Sequence, residues 1–293
     1  MKRLLAFLLS ALLIFTMTGC GRREEHSAKF RIVASFYPIY IMALNLTENI
    51  PDVVVDNMAG QQTGCLHDYQ LQSSDMQNLS SANVFLINGD GMESFLQKIA
   101  QQLPNLEIID SSKGIQTIPG EGDEEVNPHI WVSISNAILQ VENLSQGLQK
   151  ADPEHAAQYG QNAHTYEEKL KTLREEMHQA VDPLPNKAIV TFHEAFPYFA
   201  EEFGLTIAKV VNREPDSQPS AKELAETIHI VEESGVKAVF AEPQYPKSAA
   251  DIVAKESGIK VYSLDPAVTG ANDPNAYLDA IRSNMEVLKE ALS

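Results

Sequence analysis

Past its first thirty residues the chain alternates short apolar runs with longer amphipathic ones. FRIVASF (30–36), DVVVDNM (52–58), ANVFLIN (82–88) and LEIID (106–110) are each bounded by polar or turn residues. KAIVTF (187–192), LTIAKVV (205–211), VKAVFA (236–241) and IKVYSL (259–264) repeat that grammar in the second half. Short runs rich in Val, Ile and aromatic residues read as strands, and helical stretches separate them. The pattern therefore predicts βα units and a parallel sheet in each half. IYIMALNLTE (39–48), ISNAILQVENL (134–144), AKELAETIHIVEES (221–234) and the closing NDPNAYLDAIRSNMEVLKEAL (272–292) are predicted helices.

From Asp152 to about Ala180 no strand signal occurs. Asp152 reads as an N-cap, with Pro153 at the first helical position and good helix formers after it. This predicts a helix roughly 40 Å long at 1.5 Å per residue, stopped by DPLPNK (182–187). The expected architecture is α/β: two lobes, each a four-stranded parallel sheet with helices, joined by one long helix. Their expected limits are 30–150 for the N-terminal lobe, 151–182 for the linking helix and 183–293 for the C-terminal lobe.

The N-terminus has a different character. MKR is a basic start and LLAFLLSALLIF (4–15) an apolar run of signal-peptide length, too short for a membrane span. TMTGC (16–20) resembles a bacterial lipobox, which implies removal of residues 1–19 and lipidation of Cys20, followed by a polar tether over 20–29. Acyl chains contribute about 0.8 kcal/mol per buried methylene, so several on one residue hold a protein to a membrane. A secretory peptide cut elsewhere is the alternative. The expected location is the extracytoplasmic face of the cell membrane.

The formal net charge is −18. Such a field repels nucleic acid and anionic lipid and attracts cations, although it is also what a soluble surface carries. Of the two cysteines, lipidation of Cys20 leaves only Cys65, so no internal disulfide framework is expected.

Ligands of open α/β sheets bind beyond the carboxyl ends of strands. His193 directly follows one predicted strand and Asp265 another; His67 lies in the loop after DVVVDNM, and His129 opens a helix after the loop that follows LEIID. Three imidazoles and a carboxylate suit zinc, at donor distances of about 2.0–2.2 Å. Their wide separation is no local metal-finger spacing, and a single histidine in such a loop is more often just hydrogen-bonded there. Glu242 follows VKAVFA and lies near the same cleft.

HDYQLQSSD (67–75), NPHIWVS (127–133), FHEAFPYFAEEFGL (192–205), EPDSQPSAKEL (214–224), FAEPQYPKSAADIVAKESGIKVYSLDP (240–266) and YLDAIRSNMEVLKEAL (277–292) occur in this order. Together they resemble the metal-binding ABC-transporter solute-binding lipoproteins, the zinc/manganese proteins of the cluster A-I type, from Phe30 to Leu292. The resemblance implies two four-stranded lobes joined by a rigid helix, with the metal between them. It implies His67, His129, His193 and Asp265 as metal ligands. Glu242, from its place at a strand end, is expected to hydrogen-bond a ligand histidine, with direct coordination as the alternative. Trp131 would pack at the lobe interface or in the general core. The implied function is capture of Zn²⁺ outside the cell and delivery to an ABC permease, by a monomer that is not an enzyme.

Two features depart from the family pattern. The place of a histidine-rich loop before His129 holds GIQTIPGEGDEEVN, and Glu and Pro after the tyrosine of the first motif are replaced by QLQ. Manganese-type relatives have an acid at the third ligand position, where this chain has His193, so zinc is expected ahead of manganese. The remaining alternatives are a manganese-binding member and an envelope zinc hydrolase, with Asp265 unbound and Glu242 as base. Adhesion to host surfaces has no sequence feature for or against it. Cys65 lies two residues from His67, where a thiolate could bind zinc; the family pattern has no ligand there, and it reads first as a small, partly buried thiol. His155, His164 and His178 read as solvent-exposed residues of the linking helix.

Overall fold

The structure, a computed structural model, describes residues 30–61, 63–66, 69–120, 125–211 and 219–293. Cys20 and His67, and with Cys20 the expected leader and tether, lie outside these residues. Among the described residues there are two four-stranded sheets, and every pairing in them is parallel.

The first sheet holds β1 (Phe30–Ala34), β2 (Val53–Asn57), β3 (Val84–Ile87) and β4 (Glu107–Asp110), in the order β2-β1-β3-β4. The second holds β5 (Ala188–Thr191), β6 (Thr206–Val210), β7 (Ala238–Ala241) and β8 (Lys260–Ser263), in the order β6-β5-β7-β8. The two orders are the same with each number raised by four. Every predicted strand is present, shortened by one or two residues at its ends, where the polar punctuation begins. β3 (VFLI) and β7 (AVFA) are buried at all four positions, as interior strands covered on both faces require. The edge strands β4 and β8 are more exposed.

In each sheet the chain moves from the first strand to one side, then returns to the other side of it. The topological switch points therefore lie between β1 and β3 and between β5 and β7. These are the crevices where α/β sheets bind ligands.

Nine α-helices complete the described residues: α1 (Tyr37–Leu46), α2 (Ser73–Ser80), α3 (Leu96–Gln102), α4 (Ile134–Ala151), α5 (Ala156–Val181), α6 (Pro197–Glu202), α7 (Ala221–Ser234), α8 (Ser248–Ser257) and α9 (Ala276–Leu292). The short α2, α3, α6 and α8 lie between strands in regions where no helix was named from the sequence.

The linking helix is α5. It buries Tyr159, Ala163, Tyr166, Leu170, Leu173, Met177 and Val181, a stripe at three- and four-residue spacing. With that stripe it packs on α1 and α4 of the first lobe and α9 of the second. It begins later than the sequence indicated. Asp152 is not its N-cap but the residue that closes α4, and its carboxylate accepts from Tyr159 Oη (2.9 Å) and pairs with His155 Nδ1 (2.7 Å). His155 is accordingly tucked into the α4–α5 corner, not solvent-exposed as expected. His164 is exposed and His178 half-buried.

The lobes are closely joined. Tyr37 Oη donates to Ala271 O (2.7 Å), Tyr40 Oη to Asn272 Oδ1 (2.9 Å), and Asn45 Nδ2 to Pro274 O (2.8 Å). One apolar core runs from the first sheet through α5 to α9.

Candidate metal centre between the lobes

His193 stands two residues past β5 and Glu242 one residue past β7, so the pair straddles the switch point of the second sheet. His193 Nδ1 lies 2.6 Å from Glu242 Oε1, and both side chains are almost fully buried. An ionised carboxylate only accepts hydrogen bonds. In the tautomer that donates from Nδ1 to this carboxylate, Nε2 carries the lone pair with which an imidazole binds a metal.

His129 reaches the same place from the first lobe. It precedes a single 3₁₀ turn, Ile130–Val132, whose three residues are buried and which leads into α4. Ser133 caps α4, its hydroxyl accepting from Asn136 N (3.2 Å). Asn127 sets the ring: its Oδ1 accepts from His129 N (3.0 Å) and lies 3.0 Å from His129 Nδ1. Asn127 Nδ2 donates across the interface to Glu194 O (2.9 Å). His129 is fully buried, and its ring centroid is 4.8 Å from that of His193 in an edge-to-face arrangement.

Trp131 joins the two lobes behind this pair. Its ring meets Phe36 edge-on at 5.0 Å, and its Nε1 donates to Pro266 O (2.8 Å). Tyr277 Oη of α9 donates to Trp131 O (2.9 Å).

The ligand atoms of Cys65, His129 and His193 all lie within 4.8 Å of one another. Asp265 is not a member of that group. Its Oδ1 accepts from Gln244 Nε2 (2.9 Å) and Ala267 N (2.9 Å). Asn284 of α9 holds its backbone, accepting from Asp265 N (2.8 Å) and donating to Asp265 O (2.7 Å). The structure thus brings together His129, His193 and Glu242, sets Asp265 at the next strand end, and places Cys65 with the two histidines. Asn127 was missed. Its signal was readable, since an Asn whose side chain bonds the backbone two residues on is a turn-former, and here that residue is the histidine.

A profile of the family described as zinc-uptake complex component A, periplasmic (ZnuA), matches residues 32–291. The chain belongs to this family. It is 27% identical over 320 residues to the zinc-binding protein AdcA of Streptococcus pyogenes serotype M1, covering 99% of this chain and 61% of that protein. It thus spans less than two thirds of the length of the AdcA relatives. It is also 27% identical over 294 residues to the manganese-binding lipoprotein MntA of Halalkalibacterium halodurans, covering 94% of each. Among solved structures, the laminin-binding protein Lmb of Streptococcus agalactiae superposes with a TM-score of 0.81 at 26% identity, covering 90% of this chain and all of that one. It is described as a bifunctional protein with adhesin and metal transporting activity.

Proposed function

We propose that this protein captures Zn²⁺ outside the cytoplasm and passes it to the membrane subunits of an ABC permease, acting as a binding component and not as an enzyme. One observation carries the reading. Two buried imidazoles, one from each lobe, present their ligand atoms to a common point, and each has its Nδ1 held by an oxygen, Asn127 Oδ1 or Glu242 Oε1. Family membership and the zinc-binding relatives support it.

The proposed ligand set is His129 and His193 with His67 and Asp265, and Glu242 orients His193. The Glu242 carboxylate that the hydrolase alternative would use as a base is engaged with His193, which favours binding over catalysis. The proposed organisation is a leader over 1–19, a tether over 20–29 lipidated at Cys20, lobes over 30–150 and 183–293, and a linker over 151–182, in a monomeric protein on the extracytoplasmic face of the membrane.

The manganese-binding relative supports a second reading in which Mn²⁺ is the cargo. Imidazole nitrogens favour zinc over manganese, so zinc is the first choice. The test is the metal content of protein purified without chelator, followed by competition between Zn²⁺ and Mn²⁺. Stoichiometric zinc that manganese does not displace is the expected result. Protein that holds neither ion overturns the reading, and protein that holds manganese in preference moves it to the second.

A further inference from the structure

We propose that Cys65 is a metal donor in this chain, its Sγ binding the captured cation as a thiolate beside His129 and His193, in the place that the four-residue set above gives to Asp265. The inference rests on the metal-capture reading above and deepens it. The three side chains come from three separate segments, and their ligand atoms all lie within 4.8 Å of one another. In a tetrahedral zinc site with Zn–S of about 2.3 Å and Zn–N of about 2.0–2.1 Å, neighbouring donors stand roughly 3.3–3.6 Å apart. Closing this group around an ion therefore takes a contraction of about 1 Å, within the reach of side-chain rotation.

The loop around Cys65 is held in place from both lobes. Leu66 is fully buried, its N donates to Met92 Sδ (3.4 Å), and Tyr69 N donates back to Leu66 O (3.1 Å). On the other side Gly64 has a left-handed backbone, φ +84°, and a Cβ there would stand 3.0 Å from Tyr245 Oη. Tyr245 belongs to the second lobe and sets its ring edge-to-face on His193, 6.0 Å between centroids. The thiol is thus positioned against the C-terminal histidine by packing on its two neighbours. Asp265 Oδ1, by contrast, is engaged by Gln244 and Ala267.

On binding, the metal–sulfur bond forms as the S–H bond breaks, and the proton leaves to solvent; nothing is oxidised or reduced. A thiolate is a soft donor that suits zinc and copper and disfavours manganese. Cys65 would then contribute, with His193, to the preference for zinc.

The experiment is a Co²⁺ titration of the wild-type protein and Cys65→Ser, read by absorption, with Zn²⁺ and Mn²⁺ competition on each. Cobalt reports thiolate ligation by an intense charge-transfer band in the near ultraviolet, which imidazole and carboxylate donors do not give. The expected result is that band in the wild type and its loss in Cys65→Ser, while the weaker visible bands of bound cobalt persist. The zinc Kd of Cys65→Ser should rise by at least the roughly 10–100-fold that loss of a supporting partner costs, and the zinc-over-manganese ratio should narrow. Wild-type protein that binds cobalt without the charge-transfer band, or a band that survives in Cys65→Ser, overturns the assignment of Cys65 and leaves the capture site standing. Wild-type protein that takes up neither Co²⁺ nor Zn²⁺ overturns both.

Discussion

The crevice of the first lobe and the crevice of the second have the same backbone and opposite uses. The register matches residue by residue: Ser35 N donates to Leu86 O past β1, as Phe192 N donates to Phe240 O past β5. One residue further on stand Phe36 in the first lobe and His193 in the second. Directly past β3 stands Asn88, and directly past β7 stands Glu242. In the second lobe these positions hold an imidazole–carboxylate pair beside the cleft. In the first lobe they hold an aromatic ring, packed on Trp131, and an amide. The carboxylate there is Glu93, which closes the crevice from within. Its Oε1 accepts from Ser35 Oγ (2.7 Å) and Asn88 N (2.8 Å), and its Oε2 from Gly89 N (3.0 Å). Asn88 Nδ2 in turn donates to Pro128 O (2.9 Å), and Gln140 Nε2 donates to Asn88 Oδ1 (3.0 Å). The first crevice is spent on holding up the segment that offers His129. Strand topology makes two equivalent openings, and the side chains at two strand ends give one an imidazole–carboxylate pair and the other an aromatic ring and an amide.

The largest effect should come from removing an imidazole. A ligand that binds only the folded state stabilises it by about 4 kcal/mol at a thousandfold excess over Kd. His193→Ala and His129→Ala should each lose most of the zinc-induced rise in Tm. Glu93→Gln, the corresponding change in the other crevice, should keep it. Equal loss in all three variants, measured by thermal denaturation with and without zinc, would erase the functional difference between the crevices.

A smaller effect should follow from Glu242→Gln. The amide oxygen can still accept from His193 Nδ1, but the negative charge that strengthens the imidazole is gone. Changes of this kind typically cost about 10–100-fold in metal affinity. Zinc titration against a competing chelator reads it directly. A Kd unchanged in Glu242→Gln would mean that the 2.6 Å contact orients nothing that matters to binding.

Much of this arrangement was legible in the sequence. Alternating apolar runs located the eight strands of the described residues, because interior strands of a parallel sheet must be apolar on both faces, and the strand-end rule brought His193 and Glu242 to one crevice. What was not legible depended on long-range packing. Cys65 read first as a small thiol and only second as a metal donor, because its approach to the histidines is set by Leu66, Gly64 and Tyr245, residues with no chemical signature of their own. Asp152 carried the pattern of an N-cap, yet closes the preceding helix because His155 and Tyr159 hold its carboxylate. Glu93 stands three residues after Asp90 in a turn-rich stretch, and only the fold shows that it fills a crevice.

Glu93 also gives the subtlest contrast between the lobes, a difference in pH dependence. Burial raises its carboxyl from 4.5 to about 7, and the hydrogen bonds from Ser35, Asn88 and Gly89 offset only part of that rise. The sign follows from proton linkage. Between pH 4.5 and about 7 the folded protein holds a proton on Glu93 that the unfolded chain has released. Stability contributed by this group must therefore fall as pH rises through that window, and it should be flat below it. Glu93→Gln removes the proton but keeps an oxygen acceptor. It loses one acceptor position, a pH-independent cost of about 1–3 kcal/mol for a buried donor left unsatisfied. The measurement is urea unfolding of both proteins, with metal chelated, at several pH values from 4.5 to 8. Other titrating groups, the histidines included, are common to both and cancel in the difference. The wild type should be the more stable at the acid end, and its advantage should shrink as pH rises toward neutrality. A difference that stays constant across the window would mean that Glu93 is ionised throughout, with its three hydrogen-bond donors fully offsetting its burial.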